Sequence, residues 1–598
     1  MDFTIFPNIM SSDFSLKSML VNKTTHEQSI VVGVLPEMSV LFRLRHLLAT
    51  LLCCLPLATP AQSAPPAHSD LIIGLSQFPT ILHPSIESMI VKAYVLGFVH
   101  RPITAYDADW KLVCLMCTKL PTLENGLAKT EPGGGMAVTF TLPADAFWAD
   151  GRAVSTDDVL FSWEVGKHPQ SGVANAAIYR AITAIDTRPD KKTFTVHLAQ
   201  ATSTYNVLTD FRVLPAHVEK AAFANPDQYR KQSLYMAAPT TAGLYDGPYR
   251  VAEVVTGSHV VLERNAFWKG KAPAFDRIVL RTMENTQALQ AALLSGQINM
   301  IAGEMGLPLD QAVPLANRLP AGLHAQFKPG LVYEHLDVNP ANPILADVRV
   351  RKALLYGINR EAISREMFGG KLPVADSSIS ALEPIYAPTT KRYSYDPRRA
   401  GALLDEAGWK STGRGPRRNA AGQPLIIDLG TTAGNHSREL IQQVISAQLR
   451  PLGVEIRPFT EISRSFFADR VTKRAFTGMV LYSWFGTPGQ VPRSTLHSAF
   501  IPNPENNFSG QNFTGYANPR MDQLIEALDA ELDPAKRADL WRQLQELYAD
   551  DLPALPLFFT TAAFFQPGWL QGLRPTGHDA PTSLWVADWT VQAAAEQR

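Results

Sequence analysis

Alternating apolar and polar positions predict strands in the first half of the chain. Residues 71–79, LIIGLSQFP, form an apolar and β-branched run that is typical of a buried strand. Apolar side chains alternate with other residues in 138–142, in 194–198 and in HVVLERN (259–265), which predicts half-buried strands. We therefore expect the first half of the fold to be rich in β-structure.

Helices are predicted to dominate from about residue 283. Asp347 is expected to cap a helix over 348–358, in which apolar residues fall on one face. Asp396 and Pro397 are expected to open another helix, because proline is compatible with the first helical turn, and Gly408 is expected to end it. The same start signal recurs before two more amphipathic stretches, at Asn518-Pro519 and Asp533-Pro534.

Short sequence patterns predict further helices, strands and loops. Ser155 and Asp158 have the spacing of a capping box at a helix start. The glycines of EPGGGM (131–136) lead into a strand and have no helix start after them, which favours a hairpin loop. LPLFF at 555–559 returns to a strand-like pattern. This order predicts an α/β protein whose chain leaves one lobe and later comes back to it.

Length and composition fit an ordinary globular protein. The 598 residues are enough for two or three domains. Apolar residues make up 46% and charged residues 18%, and the basic and acidic residues number 55 each. Because the net charge is zero, no overall field favours nucleic acid or an anionic membrane as a partner.

The N-terminus predicts export. Basic residues at 43–46 precede an apolar run at 47–57, and small residues follow through 61–64, as in a secretory signal peptide. The alternative is a buried N-terminal helix. We expect 1–64 to be a signal region with its true start at Met38, cleavage near 61–64, and a soluble periplasmic product.

Four cysteines bear on the redox environment. Cys53 and Cys54 lie inside the signal core and are expected to leave with it. Cys114 and Cys117 form a C-x-x-C pair, for which a disulfide is the expectation in an oxidising compartment. A zinc site needs two further ligands at suitable spacing, and a thiol oxidoreductase motif needs a helix after the pair; the sequence offers neither. We expect a structural disulfide and no metal site.

The common catalytic motifs are absent from the sequence. There is no phosphate-binding loop of the G-x-x-x-x-G-K-[ST] type, no H-E-x-x-H and no G-x-S-x-G. Asp150, Asp157 and Asp158 are expected to be solvated strand-end and helix-cap residues. Ser494 and His497 lie close in sequence, a spacing that chance alone produces. We therefore expect no catalytic residues, no cofactor and no enzymatic activity, with a periplasmic hydrolase as the alternative from another class.

Five blocks, at 140–164, 246–281, 288–300, 348–370 and 395–409, carry a family resemblance. In this order they resemble the family-5 extracellular solute-binding proteins, the dipeptide- and oligopeptide-binding components of ABC importers. The most recognisable is FTLPADAFWADGRAVSTDDVLFSWE, a strand, a turn and a capped helix. Together the blocks are distributed over nearly the whole exported chain.

The resemblance implies a two-lobed periplasmic-binding-protein fold of type II with an additional small domain and a hinge cleft. Lobe I is expected to hold 70–110, 240–330 and 556–598, the extra domain 111–239, and lobe II 331–555. The resemblance also implies that a monomer captures a small solute, most simply a peptide, and delivers it to the permease subunits of an ABC importer. Closure around the ligand is expected to create the form that the permease recognises.

One departure from the family bears on the ligand. Peptide binders of this family carry an aspartate after an aromatic stretch in lobe II, where it pairs with the α-amino group of the ligand. The matching stretch, 481–498, has Gly486, Thr487, Pro488 and Gly489 at that place. Because a buried ammonium needs a partner, either another acid supplies the charge or the ligand lacks a free amine. A sugar, an opine-like conjugate and a chelated metal remain alternative ligands, and a sensor or chaperone role remains an alternative to import.

We expect the ligand to contact aromatic and polar residues of both lobes, because such residues suit a cleft for a small polar solute. The alternatives are that Trp484 and Tyr333 are core aromatics and that 511–512 is a turn. The candidate residues are Trp484, Phe485, Thr487, Gln490, Tyr333, His83, Pro84, Ser85, Gln511 and Asn512.

Overall fold

The computed structural model describes residues 69–592 of the chain. The predicted signal region at 1–64, with its start at Met38 and with Cys53 and Cys54, lies outside the described residues. Within 69–592, no helix combines the length and the apolar character that crossing a membrane requires.

The strands are β1 Asp70–Leu75, β2 Thr104–Tyr106, β3 Leu112–Cys114, β4 Ala128–Thr130, β5 Met136–Thr141, β6 Ile182–Thr187, β7 Thr193–Leu198, β8 Tyr249–Val255, β9 His259–Arg264, β10 Arg277–Thr282, β11 Met300–Ile301, β12 Leu323–Val338, β13 Ile426–Thr432, β14 Glu455–Glu461, β15 Met479–Trp484, β16 Ala554–Pro567, β17 Leu570–Gln571 and β18 Thr590–Val591.

The α-helices are α1 Ile90–Val99, α2 Thr156–Lys167, α3 Ala177–Ala181, α4 Ala216–Glu219, α5 Tyr229–Gln232, α6 Leu234–Ala237, α7 Thr286–Leu294, α8 Leu309–Ala316, α9 Pro343–Ala346, α10 Val348–Gly357, α11 Arg360–Phe368, α12 Pro397–Glu406, α13 His436–Leu449, α14 Ser463–Ser465, α15 Arg493–Leu496, α16 Pro519–Ala530 and α17 Pro534–Asp551.

A long mixed sheet runs through the fold in the order β14-β13-β15-β12-β16-β11-β1-β10-β9-β8. Its centre is the antiparallel pair β12 and β16, which are its longest strands. The strand register of this pair shifts between Pro329 and Tyr333. The predicted lobe boundaries at 330/331 and 555/556 fall inside these two strands, so the chain crosses between the two ends of the sheet as continuous β-structure.

Separate hydrophobic clusters lie along this sheet and beside it. One packs α1 against β1 and β8 to β10, and another packs α10, α12 and α13 against β12, β13 and β15. A third belongs to the small antiparallel sheet β4-β5-β7-β6 and includes Phe140, Trp148 and Phe194. The mixed α/β architecture predicted from the sequence is confirmed.

The structure confirms the helix caps and the hairpin loop that short sequence patterns predict. Ser155 and Asp158 form the capping box of α2. The 131–136 glycines join β4 to β5 as a hairpin loop, because Thr130 pairs with Met136. The caps predicted for α10, α12, α16 and α17 are all present as side-chain acceptors, at Asp347, Asp396, Asn518 and Asp533.

The expectation that Asp158 is solvated is wrong. Its side chain is buried and accepts hydrogen bonds from the backbone N–H groups of Ser155 and Ala216, both at 2.9 Å, and from Trp148 Nε1 at 3.3 Å. Burial raises the pKa of this carboxyl group. The residue is buried because it serves two segments, the start of α2 and the start of α4, and therefore lies between them.

The C-x-x-C pair forms the predicted disulfide, Cys114–Cys117, next to the short hairpin of β2 and β3. Cys117 is buried against the third cluster. In the described part of the chain, no group of three or more histidine, cysteine or acidic side chains is placed to hold a metal ion.

Candidate functional site

Side chains from β12 and β15 form one wall of a small cavity, cavity A, of about 100 Å³. Tyr333 lies opposite Trp484 across these antiparallel strands, and His335 lies opposite Tyr482. Asp337 joins the same row, because side chains two residues apart on a strand share a face. The stacked rings of Tyr333 and His335 have centroids 4.7 Å apart. The wall is therefore largely aromatic.

The polar atoms of this wall are bonded to one another. The Tyr482 hydroxyl donates to Asp337 Oδ2, and Asp337 Oδ1 lies 3.2 Å from His335 Nε2. The hydroxyls of Tyr333 and Tyr548 lie 3.0 Å apart. Burial, reinforced by Asp337, raises the pKa of Tyr482 well above its ordinary value. The phenols thus stay protonated, and the wall is held in one arrangement before any ligand enters.

The loop that follows β15 borders cavity A as a tight turn. The backbone N–H of Gln490 donates to the carbonyl oxygen of Thr487 at 3.1 Å, and Gly489 has a φ of +69°. Pro488 at the second position and a positive-φ glycine at the third match a type II turn. The sequence TPGQ therefore fixes this loop locally, and we call residues 484–490 the cleft loop.

The buried side chain of Glu383 holds the cleft loop by a hydrogen bond from its backbone. Its side chain accepts the backbone N–H of Gly489 at 2.9 Å and that of Ser380 at 3.3 Å. Glu383 is only 8% exposed and lines cavity A. No lysine or arginine within 69–592 forms an ion pair with it, and burial raises the pKa of its carboxyl group. An acid that sequence reasoning did not single out thus lies under the turn.

A second and larger space, cavity B, has a volume of about 410 Å³. It is bordered by parts of the segments 84–106, 173–179, 209–212 and 579–584. Its lining carries both signs of charge, including Arg212 and Asp579. Among the described residues, no acid forms an ion pair with Arg212, so its guanidinium is available to an anionic group of a ligand.

Lys92 shapes the part of cavity B that contains Pro84 and Ser85. Its buried ammonium donates to the carbonyl oxygens of His83, Pro84, Ile86 and Glu87 at 2.5 to 3.3 Å. Burial lowers the pKa of Lys92 to about 8. One cation therefore holds the loop after β1 in place.

A hydrogen bond joins the residues around the two cavities. The Thr487 hydroxyl, in the cleft loop, donates to Asp579 Oδ2 at 3.2 Å. Thr487 lines cavity A and Asp579 lines cavity B. One side-chain hydrogen bond therefore links the lining of cavity A to the lining of cavity B.

The family follows from comparison with known proteins. A model of the bacterial extracellular solute-binding proteins, family 5, matches residues 122–504. The chain belongs to this family. The resemblance drawn from the five sequence blocks is thereby confirmed, and the chain is an extracellular solute-binding protein by family.

Individual relatives agree with the family-5 assignment. The oligopeptide-binding protein OppA of Mycobacterium bovis is 27% identical over 442 residues, covering 72% of this chain and 70% of the relative. The nickel-binding periplasmic protein of Escherichia coli is 24% identical over 470 residues, covering 78% and 85%. The oligopeptide-binding protein from Thermus thermophilus, solved with a pentapeptide, matches with a TM-score of 0.68 at 28% identity, covering 89% and 98%. The two-lobed type II fold is thus confirmed.

The structure of this family-5 protein brings most of the sequence-predicted residues to the cavities. Two of them, Pro84 and Ser85, line cavity B. The remainder of this group lines cavity A and consists of Tyr333, Trp484, Phe485, Thr487, Gln490 and Gln511. Phe485 is 51% exposed, so about half of this apolar residue faces solvent.

His83 lines neither cavity. Its ring is fully buried, and Nδ1 accepts the backbone N–H groups of Ser85 and Ile86 at 3.1 and 3.2 Å. Nε2 lies 3.0 Å from the Tyr229 hydroxyl, which donates to Glu219. Burial lowers the pKa of His83 well below its ordinary value. Both ring nitrogens are occupied within the fold, so His83 has no polar atom to offer a ligand.

Asn512 is also fully buried and lies behind the cavity wall. Its amide nitrogen donates to the carbonyl oxygens of His497 and Tyr516, at 3.2 and 2.8 Å, and its oxygen accepts from the backbone N–H of Tyr516 at 3.1 Å. The neighbouring Gln511 is exposed and reaches cavity A. The pair therefore divides into one residue that holds the loop and one that faces the cavity.

Proposed function

We propose that this chain is the periplasmic component that captures a peptide for an ABC importer and presents it to the permease. Family membership supports capture of a solute. The peptide is supported by relatives named for oligopeptides, in Mycobacterium bovis and Thermus thermophilus. The nickel-binding relative in Escherichia coli keeps a non-peptide solute as the second candidate, and the lack of an acid at Thr487 favours it.

The lobes that we propose are those expected from the sequence. Lobe I then holds 70–110, 240–330 and 556–598, lobe II holds 331–555, and the extra domain holds 111–239. On this division cavity A belongs to lobe II, and cavity B lies between lobe I and the extra domain. Hinge motion about β12 and β16 would then close or open the contact between the two cavities.

The observation that carries the proposal is the hydrogen bond between Thr487 and Asp579, which links the linings of the two cavities. Cavity B alone lies within the usual range for small-molecule sites, about 300–1,000 Å³. The aromatic wall of cavity A suits apolar side chains. Arg212 and Asp579 suit the two charged ends of a zwitterion such as a peptide.

We propose binding without catalysis. Ser494 lines cavity A, but the ring nitrogens of His497 face Glu526 Oε1 at 3.3 Å and the backbone N–H of Ala499 at 3.1 Å. In the described fold, no hydrogen bond joins Ser494 to His497, so the pair lacks the nucleophile–base contact that a hydrolase needs.

Native mass spectrometry of the protein purified from the periplasm tests the proposal. A co-purified set of short peptides is expected. Phe485→Ala should lose this ligand because the ring lines cavity A, whereas Phe267→Ala, which removes another exposed ring outside both cavities, should keep it. Detection of a single non-peptide mass would instead favour the second candidate, a non-peptide solute. A protein that carries no ligand and binds no peptide would contradict the proposed function.

A further inference from the structure

We propose that Asp579 supplies the negative charge that pairs with a cationic group of the ligand, in place of the acid that the 486–489 stretch lacks. This inference rests on the proposed function, since it assigns a role within the same ligand site. It selects the first of the two alternatives left open by the sequence, namely that another acid supplies the charge.

Asp579 contacts the 486–489 stretch, in which the acid is missing. Its Oδ2 accepts from the Thr487 hydroxyl at 3.2 Å, and its side chain is 41% exposed and lines cavity B. A cation in cavity B can therefore reach this carboxylate without any change of backbone. Thr487 fixes one oxygen of Asp579 and leaves the other open.

The nearest ionisable side chain does not neutralise Asp579. His578 Nδ1 lies 3.5 Å from Asp579 Oδ1, but that nitrogen accepts the backbone N–H of Ala580 at 3.1 Å. The other ring nitrogen, Nε2, lies 2.9 Å from the carbonyl oxygen of Asp107, which can only accept. Both ring nitrogens are thus engaged by the backbone, and no hydrogen bond joins His578 to Asp579 in the described structure. Among the described residues, no lysine or arginine pairs with Asp579.

The other acids that line the cavities are less suited to the task. Asp337 is bonded through both oxygens within the wall of cavity A, and Glu383 accepts two backbone N–H groups beneath the cleft loop. Glu87 forms an ion pair with Arg230. These three carboxylates already stabilise the fold around them.

Asp210 is the remaining competitor. Its Oδ2 accepts from Asn175 Nδ2 at 2.7 Å, and no hydrogen bond links it to the cleft loop in the described structure. Like Asp579, it lines cavity B. Asp210 and Asp579 are thus both aspartates that line cavity B, but only Asp579 has a hydrogen bond to the cleft loop. Replacing each in turn therefore tests whether the position of the acid decides ligand binding.

The test uses one equimolar mixture of tripeptides, each present with a free amino terminus and with an N-acetylated one. The bound fraction of each form is measured by native mass spectrometry. Because both forms are present in the same sample, each serves as the internal reference for the other. The protein should bind the free-amine form at least about tenfold more tightly. Asp579→Asn, which keeps the size of the side chain, should lose this preference, and Asp579→Asn combined with Thr487→Asp should regain it.

Asp109→Asn is the matched control. Asp109 is an exposed acid that pairs with Arg574 and lines neither cavity, so this variant should keep the preference. Equal binding of both peptide forms by the unmodified protein would overturn the role of Asp579 and leave peptide capture intact. Loss of the preference in Asp210→Asn, with the preference kept in Asp579→Asn, would overturn that role as well. Binding of neither form would contradict the proposed peptide ligand, and the inference with it.

Discussion

Gly489→Ala is expected to weaken ligand binding through the backbone of the cleft loop alone. Gly489 occupies the third position of the 487–490 turn with a φ of +69°, and its N–H donates to Glu383 at 2.9 Å. Alanine disfavours this left-handed conformation. The loop can relieve the strain by rotating the peptide, but it then loses the hydrogen bond to Glu383.

The magnitude follows from the space around the glycine. No heavy atom lies within 4 Å of the position that a Cβ would take at Gly489, so the substitution creates no collision. The cost is conformational and amounts to about 1–2 kcal/mol for an L residue in the left-handed region. If the loop relaxes before ligand binds, affinity should fall about five- to thirtyfold, because the competent turn must be restored on binding.

Gly257→Ala provides the control. Gly257 lies in the β8–β9 hairpin, has a φ of +75° and likewise has no heavy atom within 4 Å of a Cβ. Urea denaturation should show a similar loss of stability for both variants, while titration with the co-purified ligand should show weaker binding only for Gly489→Ala. Equal stability losses with unchanged affinity would refute the role of the turn in binding. Unchanged stability in both variants would refute the conformational reasoning itself.

Three further variants test stability and binding separately. Because burial raises the pKa of Glu383, the folded state retains a proton that the unfolded chain has released, so this contribution to stability is lost as the pH rises through the raised value. The unfolding free energy of the protein minus that of Glu383→Gln should therefore fall as the pH rises above about 4, the ordinary range of a glutamate, and a difference that does not change with pH would contradict this assignment. Asn512→Ala should cost about 2–4 kcal/mol, because it leaves buried carbonyl groups without donors. Gln511→Ala should instead lower affinity with little change in stability, and the reverse result for the pair would show that their roles are exchanged.

Local elements of the fold could be predicted because their signals lie within a few residues. Ser155 and Asp158 are three positions apart, and the capping box between them needs no tertiary contact. The burial of Asp158 could not be predicted, since it depends on Ala216, which is 58 positions away. The same limit applies to β12 and β16, whose pairing joins residues more than 200 positions apart.

Only part of the candidate site could be predicted, because some of its residues carry no local signal. The cleft loop was singled out through the family resemblance, which aligns 481–498 with the aromatic stretch that precedes the ligand-pairing acid. Tyr333 was chosen as an aromatic residue at the expected start of lobe II. Glu383 and Asp579 carried no local signal, since one lies 106 positions before Gly489 and the other 92 positions after Thr487. Only the folded chain brings these acids to the loop.

The threonine at 487 and the aspartate at 579 are best understood together. Two carboxylates about 3 Å apart cannot both be ionised without a large penalty, so an aspartate at 487 would compete with Asp579. Thr487 avoids this repulsion and donates a hydrogen bond to Asp579 instead. On the proposed division the acid belongs to lobe I and the cleft loop to lobe II. A cation bound by Asp579 would then interact with both lobes only when they are closed, and this differential contact is what shifts a hinge equilibrium towards the closed state.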